Sequence, residues 1–336
     1  MLVGGGNFAW AVNNALDFDG TGDYLTILDD NTLDITGNIT IQTWIQPDSV
    51  TGTRMLVLKS NGGNAADMSY ALRMIGDEVR MEFGGGTGTN FDGSNNVWAK
   101  CETTSLNLVV SNKYHIVGYR NDREIGIYVN NSLVCQKTTA IATSQTIQSI
   151  SADVAIGHFP SFNQEFEGQM DEVAVWGRAL SSDDISAIYN SEVDVSSTSN
   201  LVGYWKMDEG SSTTVADSSS NSNTATITNA TWEASVFDAT SPTLSTVTIA
   251  SNNSNIAKAK VGDVITLTIT ASEALSANPV VTIAGNAAVE TNTSGNNYTA
   301  TYTMASGDSE GTVAFTIDFT DSAGNVGTQV TALTSG

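Results

Sequence analysis

Apolar and polar residues alternate strictly in several stretches of the chain. In ITIQTWI (39–45) and IGIYV (125–129) the isoleucines take alternate positions and so share one face. VITLTIT (264–270) and VAFTIDF (313–319) show the same pattern. A period of two, bounded by Gly, Asn, Asp and Ser, is typical of half-buried antiparallel strands. The sequence therefore predicts an all-β fold.

One segment departs from this pattern and predicts a short helix. In ALSSDDISAIYN, Ser181 is placed to cap the first turn, and Asp184 follows three residues on as a variant of the capping box. Leu180 and Ile185 fit the hydrophobic staple, and Ile188 continues the apolar face. A single short helix after a strand leaves the fold class all-β.

The composition of the chain changes near residues 237–242 (FDATSP). All six tryptophans lie before this point, and Thr, Ala, Val and Ser dominate after it. We therefore expect a larger domain over 1–237, a linker over 238–241 and a smaller domain over 242–336. The smaller domain has the length of an immunoglobulin-type sandwich of seven short strands.

The charge is strongly negative, with 13 Lys and Arg against 36 Asp and Glu and a net charge of −23. Such a surface does not neutralise phosphates, so we expect no nucleic acid and no anionic membrane as partner. No apolar run approaches the length of a spanning helix, so we expect no membrane insertion. The acidity suits solubility in a salty medium first, and cation binding second.

The cysteines and the N-terminal residues bear on the compartment. Spacing alone leaves a disulfide between Cys101 and Cys135 and two buried free thiols equally open. The segment MLVGGGNFAWAVNN has neither a basic start nor a continuous apolar stretch. We therefore expect no secretory signal in it.

Two segments of the larger domain carry a family resemblance, ALDFDGTGDYLTI (15–27) and FEGQMDEVAVWGRALSSDDISAIYN (166–190). Together they resemble the laminin-G-like, concanavalin A-like jelly roll, and the resemblance covers most of residues 10–237. It implies a sandwich of two antiparallel sheets. Further matching segments lie at 39–49, 56–60, 69–74, 114–134, 154–157 and 201–210.

Three segments of the smaller domain, at 260–275, 295–304 and 315–328, resemble bacterial immunoglobulin-like repeats. In the last of them, DSAGN predicts a turn in which Asp and Asn bond the local backbone and Gly supplies a positive φ. The resemblance implies a spacer or docking domain.

The stretch EFEGQMDEVAVWGRAL (165–180) raises the question of catalysis. On a strand, Glu165, Glu167 and Asp171 share one face with Gln169, and Glu172 lies on the other face. Retaining glycosidases on jelly rolls carry three carboxylates on such a face, and two of them flank the scissile bond. Gln169 stands where the third acid is needed, so the stretch does not make a glycosidase signature.

A structural interpretation explains more of the same stretch. Val173, Val175 and the staple that starts at Leu180 bury the strand and its helix against the core. Trp176 then serves as a large core or rim side chain. We therefore expect no catalytic residues here.

The Asp171–Glu172 pair matches the DE pair of the laminin-G-like family. The resemblance implies a calcium ion near this pair and the first FDG turn, with Asp19, the carbonyl of Gly20 and Asp171 as ligands by position. Hard cations take several oxygen ligands, which a carboxylate and turn carbonyls supply. The equal alternative is that Asp171 bonds backbone amides of the neighbouring turn.

Glycan contacts are predicted after the loop GGGTGTN, which lacks the Lys and the helix of a phosphate loop. Trp98 is the candidate ring for stacking on a sugar, and Asn95 and Asn96 are candidates for hydrogen bonds to it. The alternative is that Trp98 caps a core edge. His115 and His158 have no Ser or Cys partner motif, so both are expected to be packed or surface residues.

Three functional hypotheses from different classes follow. The first is a non-enzymatic virion surface protein (a capsid decoration, head fibre or tail-fibre piece), which cell lysis releases without an export signal. The second is a secreted bacterial adhesin or carbohydrate-binding module, and the third is a glycoside hydrolase or lyase with an incomplete acid set. We favour the first, with a glycan or host-cell surface, other virion or surface proteins and copies of the same chain as partners.

Overall fold

The structure, a computed structural model, divides the chain into two compact units, Asn14–Glu233 and a second that runs from Ala234. The linker expected from composition, 238–241, follows shortly after this division. The structure describes residues 14–62, 67–84, 98–104, 106–138, 146–159, 162–190, 194–237, 241–321 and 324–334.

The first unit consists of strands joined by loops, with one α-helix, α1 (Ser182–Tyr189), in its described part. Single turns of 3-10 helix lie at Asn31–Leu33 and Val195–Ser197. In chain order the strands are β1 (Asn14–Asp19), β2 (Tyr24–Ile27), β3 (Ile39–Pro47), β4 (Thr53–Ser60), β5 (Met68–Ile75), β6 (Glu78–Gly84), β7 (Trp98–Glu102), β8 (Tyr114–Asn121), β9 (Glu124–Val129), β10 (Ser132–Lys137), β11 (Val154–Ile156), β12 (Glu167–Trp176), β13 (Leu201–Trp205), β14 (Thr214–Val215), β15 (Ala225–Thr228) and β16 (Thr231–Ala234).

Among the described residues, these strands form two eight-stranded antiparallel sheets. Sheet A has the order β10-β9-β8-β3-β12-β1-β16, and β13 also pairs with β12. Sheet B has the order β14-β15-β2-β11-β4-β5-β6-β7. One core of buried apolar side chains takes residues from both sheets, so the unit is a two-layer sandwich.

The alternation of apolar residues places one face of each strand in this core. Ile39, Ile41 and Ile45 of β3 are fully buried there, and so are Ile125 and Ile127 of β9. Burial of one such side chain contributes about 1.5–3 kcal/mol relative to exposure in water. The predicted all-β fold is confirmed.

Helix α1 forms where its sequence predicts, but it packs on the outer face of sheet A and not against the core between the sheets. Ser181 Oγ accepts a hydrogen bond from the Asp184 amide at 3.1 Å, and the Asp184 carboxylate accepts one from the Ser181 amide at 3.0 Å. The predicted capping box is therefore confirmed. Leu180 and Ile185 are buried with Trp176 in a second apolar cluster, separate from the core between the sheets.

A disulfide between Cys101 of β7 and Cys135 of β10 resolves the alternative that the sequence left open. The two strands are terminal strands of different sheets, β7 in sheet B and β10 in sheet A. The bond therefore fastens the two layers of the sandwich together at one edge. It closes a loop between residues 34 positions apart.

The second unit contains two smaller antiparallel sheets in its described part, in the orders β17-β18-β22-β21 and β20-β19-β23. The predicted apolar faces at Ile265, Leu267 and Ile269 are buried between them. Likeness to immunoglobulin-like repeats stays a prediction. The strands are β17 (Leu244–Ser251), β18 (Val264–Ala271), β19 (Val280–Ile283), β20 (Asn286–Ala287), β21 (Val289–Ser294), β22 (Asn297–Thr303) and β23 (Phe315–Asp318).

The turn predicted at DSAGN has the expected hydrogen bonds where the structure describes it. Asp321 Oδ1 accepts a bond from the Asn325 amide at 2.7 Å, and Gly324 has a φ of 92°. The left-handed backbone at this position favours glycine because glycine carries no Cβ.

No helix in the described ranges is both long enough and apolar enough to span a membrane.

Candidate functional site

The acidic stretch forms most of β12, and a β-bulge interrupts it. The pairing of β12 with β3 shifts between Asp171 and Ala174, and Glu172 has a left-handed backbone with a φ of 53°. Met170 and Val173 both enter the core between the sheets. Two residues, Asp171 and Glu172, therefore stand between core-facing positions where a regular strand has one. The expectation that Glu172 lies on the opposite face from Asp171 is wrong, because it assumed a regular strand.

The bulge brings the Glu172 carboxylate to the hydroxyl of Tyr204 on the outer face of sheet A, where the two side chains are hydrogen-bonded. Burial raises the pKa of Glu172 to about 8, and the charge on Asp208 adds to this rise. The Tyr204 hydrogen bond and Lys206 oppose the rise. The Glu172 carboxyl group is therefore largely protonated at neutral pH.

The other acids of the stretch have local partners. Glu167 Oε2 lies 3.2 Å from Arg54 Nη2, and Glu165 Oε1 lies 3.5 Å from His158 Nδ1. Asp171 is fully buried, and its Oδ1 accepts a hydrogen bond from the Glu172 amide at 2.9 Å. This bond matches the alternative in which Asp171 serves a neighbouring turn. Glu165 and Glu167 thus tie the start of β12 to neighbouring segments, and Asp171 stabilises the bulge.

The predicted calcium ligands do not lie together. Asp19 pairs with Glu167 in the ladder of β1 and β12, whereas Asp171 lies four residues further along β12. At about 3.3 Å per residue this separates the two positions by about 13 Å. Asp19 Oδ1 accepts a hydrogen bond from the Thr21 amide at 2.7 Å. Asp19, Gly20 and Asp171 therefore do not fit one ion, because calcium holds its oxygen ligands at 2.3–2.6 Å.

No group of three His, Cys, Asp or Glu side chains in the described ranges is arranged to hold a metal ion. Calcium binding by this chain stays a prediction.

The predicted sugar contacts fall largely outside the described residues. Asn95 and Asn96 lie outside them, and of Trp98 the backbone is described, as the first residue of β7, paired with Gly84. The structure therefore places position 98 on the last strand of sheet B. Sugar stacking by Trp98 stays a prediction.

His115 is a packed histidine, as expected. It is fully buried on β8, stacks on Trp44 with ring centroids 4.8 Å apart, and its Nε2 lies 3.2 Å from Gln42 Oε1. Burial lowers the pKa of His115 to about 3, so the ring is neutral. Tyr189, at the end of α1, stacks against Trp44 at 5.7 Å.

A network of charged side chains on the outer face of sheet B was missed by the sequence reasoning. Glu82 Oε1 lies 2.6 Å from Arg73 Nη2 and 2.8 Å from Arg80 Nη1. Arg80 also contacts Glu102, and Lys100 Nζ lies 3.6 Å from the same carboxylate. The sequence signal for this network is the charged residues at alternate positions of EVRMEF and WAKCE. They alternate with residues that include the buried Met81 and Cys101. Alternation puts these charges on one face.

The fold defines the class of protein. A family model of the concanavalin A-like lectin/glucanase superfamily (Laminin_G_3) matches residues 19–186, which is half of the chain. The chain belongs to this superfamily, and the predicted concanavalin A-like jelly roll is confirmed. No curated protein matches the chain in sequence.

Solved structures show the same fold at low identity. A Bacteroides ovatus protein considered to bind carbohydrate has a TM-score of 0.50 and 16% identity, over 67% of this chain and 60% of its own. This chain therefore spans less than two thirds of that protein, and the likeness concerns the fold alone.

Two carbohydrate complexes have weaker overlaps, which carry no argument about this chain. The CBM40 of Ruminococcus gnavus IT-sialidase, bound to α2,3-sialyllactose, has a TM-score of 0.40 and 13% identity over 54% of this chain and 100% of its own. Domain 4 of AbnA, an extracellular arabinanase of Geobacillus stearothermophilus, was solved with arabinotriose. It has a TM-score of 0.37 and 12% identity over 55% of this chain and 79% of its own.

Proposed function

We propose that this chain is a non-catalytic glycan-binding protein displayed on a surface, and that the surface is that of a virion. One observation carries the choice of binding over catalysis. In a concanavalin A-like sandwich, β12 offers Gln169 between Glu167 and Asp171, and both acids make contacts within the fold. A retaining glycosidase needs two carboxyl groups that flank the scissile bond and are free to act on it.

Glycan binding is supported by the family and by the fold likeness to a protein considered to bind carbohydrate. A rigid sandwich presents its loops and sheet faces in fixed positions, and copies displayed together convert weak single contacts into strong attachment. Trp98, Asn95 and Asn96 are the residues that we propose for direct contact in the loop before β7.

The virion assignment rests on the strongly acidic composition. A secreted bacterial adhesin is the second candidate, and the disulfide favours it, because disulfides form and persist in oxidising compartments. Detection of the chain in purified particles by mass spectrometry would support the first candidate. Detection in culture medium of uninfected bacteria would support the second.

The test of glycan binding is an array screen of the purified chain displayed multivalently, first with calcium and then with chelator. We expect reproducible hits that Trp98→Ala weakens, with Trp232→Phe as a control on another tryptophan. Hits that disappear with chelator would support a calcium-dependent site. A blank array under both conditions would reject glycan binding and leave a structural role in an assembly.

Catalysis is tested on the same hits. Each bound oligosaccharide is incubated with the chain and followed by mass spectrometry, and we expect no cleavage. A product that appears with the wild type and is lost in Glu167→Gln would overturn the non-catalytic assignment.

A further inference from the structure

Three polar side chains meet beside the start of β2, and we refer to them as the His158 cluster: Tyr24, His158 and Glu165. The rings of Tyr24 and His158 stack with their centroids 4.7 Å apart and their planes 23° from parallel. Glu165 Oε1 lies 3.5 Å from His158 Nδ1. An aromatic pair and a carboxylate therefore lie side by side, outside the residues assigned so far to glycan contact.

The turn after β11 brings these residues together. Gly157 has a left-handed φ of 81°, and a Cβ there would lie 2.5 Å from the ring of Phe18, so the turn depends on glycine. The Gly157 carbonyl accepts a hydrogen bond from the Phe166 amide at 2.8 Å. This bond places the next residue, His158, beside the residue that precedes Phe166, which is Glu165.

Tyr24 joins them from the neighbouring strand. On β2, Leu25 and Ile27 enter the core between the sheets, so Tyr24 faces the outside of sheet B. Leu25 pairs with Ile156 in the ladder of β2 and β11. Tyr24 and the residues that follow Ile156 therefore lie at the same end of the two strands.

The functional atoms of the His158 cluster reach solvent. The side chains of His158 and Glu165 are 15% and 17% exposed, and Tyr24 is half-buried. In the described part of the chain, the Tyr24 hydroxyl, His158 Nε2 and both Glu165 oxygens have no hydrogen-bond partner, and none of these four atoms is buried. His158 Nδ1, by contrast, is buried. A ligand in solution can therefore touch all three side chains.

The accessible atoms are mainly hydrogen-bond acceptors. Burial lowers the pKa of His158, although the charge on Glu165 opposes this shift, so the ring is neutral at neutral pH. The carboxylate beside Nδ1 favours the proton on that nitrogen, which leaves a lone pair on Nε2. An ionised carboxylate only accepts hydrogen bonds. A ligand that fits this cluster must therefore bring donors.

We propose that the His158 cluster binds a neutral, hydroxyl-rich sugar unit, whose hydroxyl groups donate to Glu165 and to His158 Nε2 and share a hydrogen bond with the Tyr24 hydroxyl. This rests on the glycan-binding function proposed above, and it adds a second contact site and a ligand class. Sugar hydroxyls supply the donors that the cluster lacks. A few placed polar groups beside aromatic rings are typical of small-molecule sites.

The charges around the cluster select against acidic sugars. Burial raises the pKa of Asp23, and the charges on Asp19 and Glu165 add to this rise, so several carboxyl groups lie close together here. The guanidinium of Arg54 is already engaged, since it donates to the Glu165 carbonyl at 2.9 Å and contacts Glu167 at 3.2 Å. A sugar carboxylate would bring acceptors and a like charge. Sialylated glycans should therefore bind more weakly than neutral ones.

The test is an array of neutral oligosaccharides and their sialylated counterparts, followed by calorimetry with the strongest neutral hit. We expect Glu165→Gln to weaken binding about tenfold, because hydrogen bonds to a charged group are the stronger ones. Tyr24→Phe removes a neutral hydroxyl and keeps the ring, so it should weaken binding about threefold.

The matched controls are Glu124→Gln and Tyr128→Phe, both on β9 of the other sheet. Glu124 also lies beside a tyrosine, since it accepts a hydrogen bond from the hydroxyl of Tyr119. Tyr128 is half-buried, as Tyr24 is. Both controls should bind the neutral hit as the wild type does. Equal weakening in the controls would overturn the site, because the loss would then not be local.

The melting temperature of each variant checks that it is folded. Neutral hits that keep their affinity in Glu165→Gln and Tyr24→Phe but are lost in Trp98→Ala would overturn this site and leave glycan binding intact. A preference for sialylated glycans would overturn the ligand class. A blank array would overturn the proposed function itself, and this site with it.

Discussion

The two outer faces of the sandwich are built in opposite ways. On sheet A, the outer face is covered by α1 and by an apolar cluster that includes Trp176, Leu180 and Ile185. On sheet B, the outer face carries a network of charges centred on Glu82. Both faces follow from period-two strands, but sheet A is covered by a helix, whereas sheet B combines buried charges with a small apolar cluster that includes Ala71 and Phe159. The difference shows that the same alternation can lead to a helix-covered face or to a network of charges.

The largest expected effect tests the packed face. Trp176 is fully buried, and its Nε1 donates to Thr198 Oγ1 at 2.8 Å. Trp176→Ala should lower the free energy of unfolding by about 3–5 kcal/mol, because it leaves a cavity under α1. Urea unfolding measures this. Trp176→Phe keeps most of the packing and should cost less, so equal losses in the two variants would contradict a cavity effect.

A smaller loss is expected on the charged face. Glu82→Ala leaves Arg73 and Arg80 without their shared carboxylate, although Arg80 keeps Glu102. We expect the free energy of unfolding to fall by about 2 kcal/mol, below the 3–5 kcal/mol typical when one partner of a fully buried pair is removed. The reason is that both guanidiniums are partly exposed. A loss as large as that of Trp176→Ala would mean that sheet B is closed by packing too.

Glu172 predicts a pH dependence beside the packed face. Its pKa is raised to about 8 in the folded chain, mainly by burial. The unfolded chain ionises the same carboxyl near pH 4.3, so the contribution of Glu172 to stability is complete below that pH and is lost as the pH rises towards 8. Glu172→Gln, which stays neutral, should therefore be more stable than the wild type at pH 8.

Unfolding by urea at pH 5 and pH 8 measures this difference. The gap between variant and wild type should widen as the pH rises. Asp171→Asn is the wrong control, because its carboxylate holds the bulge; Glu124→Gln, on β9 and bonded to Tyr119, is the matched one. A gap that is constant with pH would show that Glu172 is ionised in the fold.

The smallest effect is expected at the rim of the charged network. Lys100 Nζ lies 3.6 Å from Glu102, and its side chain is 44% exposed. Exposed ion pairs contribute about 0–1 kcal/mol, so Lys100→Ala should change the free energy of unfolding by less than about 0.5 kcal/mol. Thermal melts at low and high salt would show whether the Lys100–Glu102 pair still contributes to stability when salt screens it. A larger loss would place Lys100 in the buried part of the network.

Much of the fold could be predicted because its signals are local. The isoleucines of β3, the Ser181–Asp184 capping box and the turn at Asp321 each depend on residues within a few positions of one another. The face on which the Glu172 side chain lies could not be predicted. It is set by a bulge, and the bulge depends on how β12 pairs with β3 between Asp171 and Ala174.

The candidate site shows the same division. Alternation alone identifies Arg80 and Glu82 as neighbours on one face, where isolated charges are expected to be solvated. Their burial and their pairing with Arg73 depend on β5 and β6 lying side by side. The calcium set failed for the converse reason, because family positions were combined without the register that separates Asp19 from Asp171.

The sequence by itself determined which residues share a face, where the helix begins and that the chain is all-β. The tertiary structure decided what covers each face, which oxygen of Glu82 is left without a partner, and that Cys101 meets Cys135 across the two sheets. The physical reason is that backbone geometry fixes side-chain direction over a few residues. Contacts between distant strands depend on how the whole sandwich packs.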